Sequence, residues 1–239
     1  MIYHISGCDC TVKSTLCNKL GEKLNLDVVH FDKPKNMEDG KKQYFDFLKN
    51  LDKDIICDRF HDGEYIYAPL YRGYEANYLE EFETQLRKQP YLFINTYSDI
   101  DKIIERAEKR GEDFVKFDDF KKVSQLFEDY IRKQNMPYIT LDTTKSTEEN
   151  ELIDNAVDYI LKCDKIIKEL FENNKDNDIY FGCLGARYII EASDYETLLL
   201  RKQKMINNNA GITYRQCWFT TTNNKEFLLL QKRLIGSIR

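Results

Sequence analysis

Ile2-Tyr3-His4-Ile5-Ser6-Gly7-Cys8-Asp9-Cys10-Thr11-Val12-Lys13-Ser14-Thr15 opens the chain, and its reading decides the fold. A short apolar run, Ile2–Ser6, ends at Gly7, a polar loop follows, and Lys13–Leu24 carries a helical pattern. In a strand–loop–helix of this kind the loop N–H groups and the helix N-terminus face a phosphate group. Lys13 would then reach the β- and γ-phosphates of a nucleotide, and Ser14 would hold Mg2+. The spacing Gly-x5-Lys-Ser is met, but Val12 stands where a second loop glycine is usual. A glycine there permits a positive φ or a close backbone approach that a β-branched residue resists. The plainer alternative is an ordinary strand–turn–helix that contains Lys-Ser-Thr.

The pattern continues outward from this segment. Asp27–Phe31 reads as a second strand, and Met37–Leu51 as a helix with Tyr44, Phe45, Phe47 and Leu48 on its apolar side. Asp54–Cys57 reads as a third strand, followed by a long helix around Tyr74–Lys88 and a strand at Tyr91–Asn95. A helix over Asp99–Arg110 stops at Gly111, a residue suited to a helix C-terminus. Phe117–Gln134 is a further amphipathic helix and Tyr138–Leu141 a fifth strand. Strands alternating with helices imply βαβ units and a mostly buried parallel sheet, hence an α/β three-layer fold with five parallel strands. Ligands of such sheets bind beyond the carboxyl ends of the strands. Gly7–Thr15, Asp32–Lys35 and Asp58–Gly63 are therefore expected around one crevice.

Ser146 with Glu149 is a capping-box signature opening a helix through about Cys163. The polar run Glu172–Asp178 reads as a linker, which suggests a domain over residues 1–164 and an extension over 165–239. The extension combines apolar stretches at Ile179–Leu184 and Ile212–Thr222 with a helical pattern at Thr197–Ile206, a small α+β addition. It carries 12 basic and 8 acidic residues, against a net charge of -5 for the whole chain.

A length of 239 residues accommodates one α/β domain with such an appendage. The net charge argues against a sequence-independent grip on a polyanion by the whole surface. Seven cysteines without a Cys-x-x-Cys pair point to free thiols in a reducing cytoplasm. Cys8 and Cys10 lack a second ligand pair at a useful distance, against a zinc site. No apolar run approaches the roughly 20 residues of a membrane span, and no signal peptide precedes the first strand. A cytoplasmic protein with no membrane contact is expected.

Two further clusters carry possible chemistry. Asp58-Arg59-Phe60-His61-Asp62-Gly63-Glu64 follows the third strand, where a carboxylate can act through Mg2+ or as a base and an arginine can clamp a phosphate. A solvated ion pair at a strand end is the bland alternative. Arg106 and Arg110 lie four apart on one helix face and can reach the same place. A solvated face balanced by Glu105 and Glu108 is the other reading.

Gly7–Thr15, Asp58-Arg59-Phe60 and Arg106–Asp113, taken in order, resemble the phosphate loop, Asp-Arg motif and lid of thymidylate kinases and deoxynucleoside (monophosphate) kinases. Asp58–Gly73, with Gly63-Glu64, Tyr67, Pro69 and Tyr71-Arg72-Gly73, is similar to phage-type members, as is Arg110-Gly111-Glu112-Asp113-Phe114. The resemblance covers about residues 1–145. It implies a P-loop NTPase fold in which Gly7, Asp9, Cys10, Thr11, Val12, Lys13, Ser14 and Thr15 hold ATP, with Ser14 and Asp58 at Mg2+. Asp9 would organise the acceptor side, Arg59 would contact the acceptor phosphate, and Tyr67, Tyr71 and Arg72 would line the acceptor pocket. Asp32 and Lys33 follow the second strand, where relatives place an acidic residue and a basic acceptor contact, although Asp32-Lys33-Pro34 replaces the usual Glu-Pro order. Arg106 and Arg110 would stabilise the transferred phosphoryl group, completing a catalytic set with Lys13, Asp58 and Arg59.

The implied activity is transfer of the ATP γ-phosphoryl group to a deoxynucleoside monophosphate, dTMP or a modified pyrimidine analogue. Lys33, Arg59 and Arg72 lean toward a monophosphate acceptor. Two alternatives stay open: a non-catalytic nucleotide binder whose loop Val12 has distorted and whose tail is an interaction module, and a kinase acting on nucleotides within DNA, gripped by Tyr214, Trp218 and Phe219. Members of the resembled family are often homodimers.

Overall fold

The computed structural model describes residues 1–111, 115–133, 136, 138–145, 151–173, 179–182, 188–192, 200, 214–221 and 226–232. Strands β1 (Ile2–Gly7), β2 (Val28–His30), β3 (Ile55–Asp58), β4 (Tyr91–Tyr97) and β5 (Tyr138–Asp142) form one parallel sheet in the order β2-β3-β1-β4-β5. The period-2 alternation of side chains splits the sheet's residues between two cores. Tyr3, Ile5, Ile56, Leu92, Ile94, Ile139 and Leu141 pack with α1 (Lys13–Leu24) and α7 (Glu151–Asn173). Ile2, Cys57, Tyr91, Phe93 and Tyr138 pack on the other face with α2 (Met37–Lys49), α4 (Leu79–Leu86) and α6 (Phe120–Lys133). Both faces are covered, giving the expected three layers.

Register places the site. Ile5 on the central strand pairs with Asp58 on one side and Ile94 on the other, and His30 on β2 pairs with Asp58. The carboxyl ends of β1, β2 and β3 therefore lie side by side where the chain leaves Gly7.

The helices follow local chemistry. Asn36 caps α2 by accepting from the Asp39 N–H at 2.9 Å, and Glu38 and Asp39 sit in its first turn, where negative charge suits the helix N-terminus. Helix α5 (Ile100–Arg110) ends at Gly111, at φ 92, as its sequence leads one to expect.

Three boundaries differ from expectation. The stretch after β3 folds into α3 (Asp62–Tyr67), a wide π turn over Ala68–Arg72 and Gly73 at φ 72. The following helix starts at Leu79 rather than Tyr74, because the Tyr74 and Tyr78 hydroxyls turn toward Glu64. Helix α7 runs to Asn173, past Cys163. Its apolar stripe continues through Ile160, Cys163 and Ile167 against α1, and Lys168 bonds Asp54 at 2.6 Å. Ser146 and most of the expected linker lie outside the described residues.

A second sheet of four antiparallel strands, β6 (Ile179–Gly182), β7 (Tyr188–Ala192), β8 (Tyr214–Thr221) and β9 (Glu226–Lys232), has the order β6-β8-β9-β7. The helix expected at 197–206 lies outside the described residues, Leu200 apart. Among the described residues no helix is long and apolar enough to cross a membrane.

Candidate functional site

Gly7 leaves β1 at φ 138, and a Cβ there would stand 2.2 Å from the carbonyl oxygen of Thr96 on β4. Only glycine lets the chain turn away from the sheet at this point. Cys10 and Val12 follow with φ of 63 and 64, so Val12 does adopt the left-handed backbone expected of a glycine. That conformation costs a non-glycine residue on the order of 1–2 kcal/mol. The half-buried Val12 side chain packs against the α1 core, and its carbonyl accepts the first bond of α1 from Leu16 N–H at 3.2 Å.

The loop closes around Lys13. Its buried ammonium donates to the carbonyls of Gly7 at 3.0 Å and Cys8 at 2.7 Å, with Asp9 Oδ1 3.6 Å away. Thr11 Oγ1 donates to the Cys8 carbonyl at 2.6 Å. Burial pushes the Cys8 thiol up to about 12, so it stays protonated. Cys8, Cys10, Cys17, Cys57 and Cys163 are all free thiols, and among the described residues no three His, Cys, Asp or Glu side chains are arranged as a metal site.

Ser14, in the first turn of α1, donates from Oγ to Asp58 Oδ2 at 3.3 Å. The other oxygen, Asp58 Oδ1, is buried without a hydrogen-bond partner among the described residues. A carboxylate with one orphaned oxygen beside a hydroxyl fits a hard divalent cation completed by oxygens of a bound nucleotide. His30 Nδ1 stands 3.2 Å from Asp58 Oδ2.

Arg59 follows Asp58 at φ 63 and donates to Asp9 Oδ1 at 3.4 Å. Asp9 thus lies between Lys13 and Arg59. On the opposite side of the loop, Arg106 donates to the carbonyls of Cys10 at 3.1 Å and Thr143 at 2.7 Å and to Ser98 Oγ at 3.3 Å. Burial lowers the pKa of this guanidinium. Arg110 and Arg106 line one cleft of about 570 Å³ with residues Asp9–Thr15 and Arg59.

A second cavity, of about 160 Å³, lies beyond Arg59. Phe31, Tyr44, Phe60, Tyr67 and Phe127 supply its rings, and Asp9, Asp32, Lys33, Arg59, Glu64 and Arg72 its polar groups. Asp9 and Arg59 line both spaces and form the partition between them.

Most of the residues singled out in the sequence therefore converge. Gly7, Asp9 and residues 10–15 form the loop, Ser14 meets Asp58, and Asp32, Lys33, Arg59, Tyr67 and Arg72 share the smaller cavity. Two are placed less directly. The Arg72 guanidinium is bonded to Glu64 and to the Gly63 carbonyl at 3.2 Å. Tyr71 stands behind the wall, stacked on Tyr67 at 6.2 Å and donating to Asp119 at 2.9 Å.

Sequence reasoning missed His30, Phe31, Tyr44, Phe127, Thr96 and Thr143. His30 ends β2 and Phe31 follows it, so the rule that found Asp32 applied to them as well. Tyr44 and Phe127 lie on apolar helix faces and carried no signal apart from the core.

The thymidylate kinase family model matches residues 42–152, which include Asp58, Arg59, Arg106 and Arg110. The SPbeta prophage-derived uncharacterized protein YorR of Bacillus subtilis (strain 168) is 24% identical over 147 residues, 58% of this chain and 87% of that protein. The crystal structure of YorR in complex with phosphorylated GDP superposes with a TM-score of 0.54 at 18% identity, over 72% of this chain and 98% of that one. Polyphosphate kinase 2 from Arthrobacter aurescens TC1 superposes with a TM-score of 0.51 at 10% identity, over 71% and 68% of the respective chains. The structural likenesses establish the fold, and the family-model match bears out the resemblance to thymidylate kinases.

Proposed function

We propose that this thymidylate-kinase-like P-loop protein transfers the γ-phosphoryl group of ATP to a deoxynucleoside monophosphate, dTMP or a modified pyrimidine analogue. The observation that carries the reading is the partition made by Asp9 and Arg59 between the phosphate-loop cleft and an aromatic-walled cavity. A donor in one space and an acceptor in the other would meet at that wall, where positioning supplies much of the rate.

In this reading Lys13 leaves its carbonyl partners for the β- and γ-phosphates, and the N-terminus of α1 faces the same group. Ser14 and Asp58 hold Mg2+, which when bound neutralises charge on the phosphate oxygens. Arg59 contacts the acceptor phosphate in two-pronged fashion, with Lys33 and Asp32 at the rim of the acceptor space. Arg110 stabilises the transferred group, and Arg106 does so only after giving up part of its grip on the loop. Tyr67, Phe31 and Phe60 offer ring faces to a base, with Tyr71 backing Tyr67. The small size of the cavity favours a single-ring base. The continuous α7 helix supports a kinase unit that extends to residue 173.

Val12, at φ 64, keeps a second reading in view: a nucleotide binder in which the loop no longer supports transfer. One experiment separates the readings. ATP and Mg2+ are offered with thymidine, dTMP, dGMP, GDP and a DNA oligonucleotide, the guanine nucleotides being included because YorR is described with phosphorylated GDP. Formation of dTDP is the expected result. Transfer to thymidine but not to dTMP overturns the monophosphate reading, and transfer only to the oligonucleotide points to a DNA acceptor. ATP binding without any transfer favours the non-catalytic binder.

A further inference from the structure

We propose that His30 is a third protein donor to the divalent cation held by Ser14 and Asp58, giving that site a nitrogen ligand and a preference for Mn2+ or Co2+ over Mg2+. The inference rests on the kinase reading for the nucleotide that would share the cation.

Backbone register puts His30 there. Strand β2 is a three-residue edge strand, and His30 is the direct parallel partner of Asp58 on β3. Residues paired in this way project to the same face of the sheet. Asp58 Oδ2 consequently has two protein donors near it, His30 Nδ1 at 3.2 Å and Ser14 Oγ at 3.3 Å. Neighbouring ligands of an octahedral cation with bonds of about 2.1 Å stand about 3 Å apart. Both separations are thus near the edge of such a coordination shell before any cation enters.

One contrast favours a ligand over a structural ion pair. The molecule's other close histidine–aspartate pair, His4 with Asp62, is wholly inaccessible to solvent, whereas the His30 side chain is 51% exposed.

The chemical consequence is selectivity. Carboxylate, hydroxyl and phosphate oxygens suit Mg2+, while an imidazole nitrogen raises affinity for the later divalent first-row metals. For Nδ1 to ligate, the ring proton must sit on Nε2.

The test uses the full chain with ATP and Mn2+. Pulsed electron paramagnetic resonance should show the nitrogen coupling of a directly bound imidazole. The coupling should vanish in His30→Ala and His30→Gln. Mn2+ affinity of the ATP-bound variants should fall about tenfold or more, and Mg2+ affinity clearly less. The glutamine variant keeps a polar side chain beside Asp58, and the melting temperature of each variant reports whether the sheet edge is intact. Bound Mn2+ and ATP without imidazole coupling, or coupling that survives in His30→Ala, overturns this inference and leaves the kinase reading standing. Equal loss of Mg2+ and Mn2+ affinity overturns it in favour of His30 merely orienting Asp58. Failure of ATP and the cation to bind together overturns both.

Discussion

Arg72 is bonded to Glu64 inside the wall of the aromatic cavity, a cation matched to a carboxylate that is 1% exposed. Glu64 also accepts from the hydroxyls of Tyr74 at 2.7 Å and Tyr78 at 3.3 Å. The carboxylate is satisfied only as a set. Arg72→Ala leaves it buried with its charge uncompensated, a loss expected at about 3–5 kcal/mol. Arg72→Ala with Glu64→Gln should recover part of that loss, since a neutral amide needs no counter-charge. Urea denaturation of the two variants checks this. An Arg72→Ala protein of parental stability that binds the acceptor poorly would instead make Arg72 an acceptor ligand.

Val12→Gly should be close to neutral for stability. The substitution relieves about 1–2 kcal/mol of left-handed strain, adds about 0.5–1 kcal/mol of backbone freedom to be lost on folding, and removes an apolar contact with the α1 core. A net change within about 1 kcal/mol is expected in thermal denaturation. ATP affinity and turnover should be unchanged or higher, because the loop conformation becomes easier to hold. A marked fall in ATP affinity would mean that the valine side chain itself shapes the phosphate cleft.

Lys13→Ala should reduce turnover by about 10²–10³-fold, the effect of losing one preorganised charge on a transferring group. Lys13 also stitches the loop through the Gly7 and Cys8 carbonyls, so its melting temperature must be measured alongside. A variant that melts normally yet turns over at the parental rate would remove Lys13 from the reaction.

These residues differ in how visible they were beforehand. The fold was legible because apolar strands of period 2 alternate with helices, and Gly7 marks the exit from β1 in sequence as it does in space. Asp9, Asp58 and Arg59 were legible because topology alone gathers the carboxyl ends of the strands. The Glu64–Arg72 pair was not, since it depends on the wide turn over Ala68–Arg72, which leaves no periodic trace. Tyr44 and Phe127 were hidden for another reason: an aromatic that walls a cavity and one that fills a core occupy the same helix positions. His30 was missed although the strand-end rule reached it; its pairing with Asp58 is set by strand register and leaves no trace in spacing. The end of α7 was placed too early, at about Cys163, although its apolar stripe packs on through Ile167 before the polar Glu172 and Asn173.

His4 should make the protein acid-sensitive well above the carboxylate range. The ring is fully buried in the sheet, with Nε2 2.9 Å from Asp62 Oδ1 and Nδ1 2.6 Å from the Tyr91 hydroxyl. Burial disfavours the imidazolium and outweighs the attraction of Asp62, so the folded-state pKa of His4 lies below 6.5. A neutral ring also suits both neighbours, accepting from the Tyr91 hydroxyl while Nε2 faces Asp62. In the unfolded chain the same group titrates near 6.5. Below that pH the unfolded state takes up a proton that the folded state refuses, so stability falls as pH falls. The contribution is fully present above about pH 6.5 and is lost below it, at no more than about 1.4 kcal/mol per pH unit. His4→Gln cannot titrate, and its unfolding free energy should decline less steeply than the parent's between pH 6.5 and 5, whatever its absolute stability. Urea denaturation at several pH values gives both slopes. A variant slope as steep as the parent's would mean that folded His4 carries its proton and that Asp62 outweighs burial.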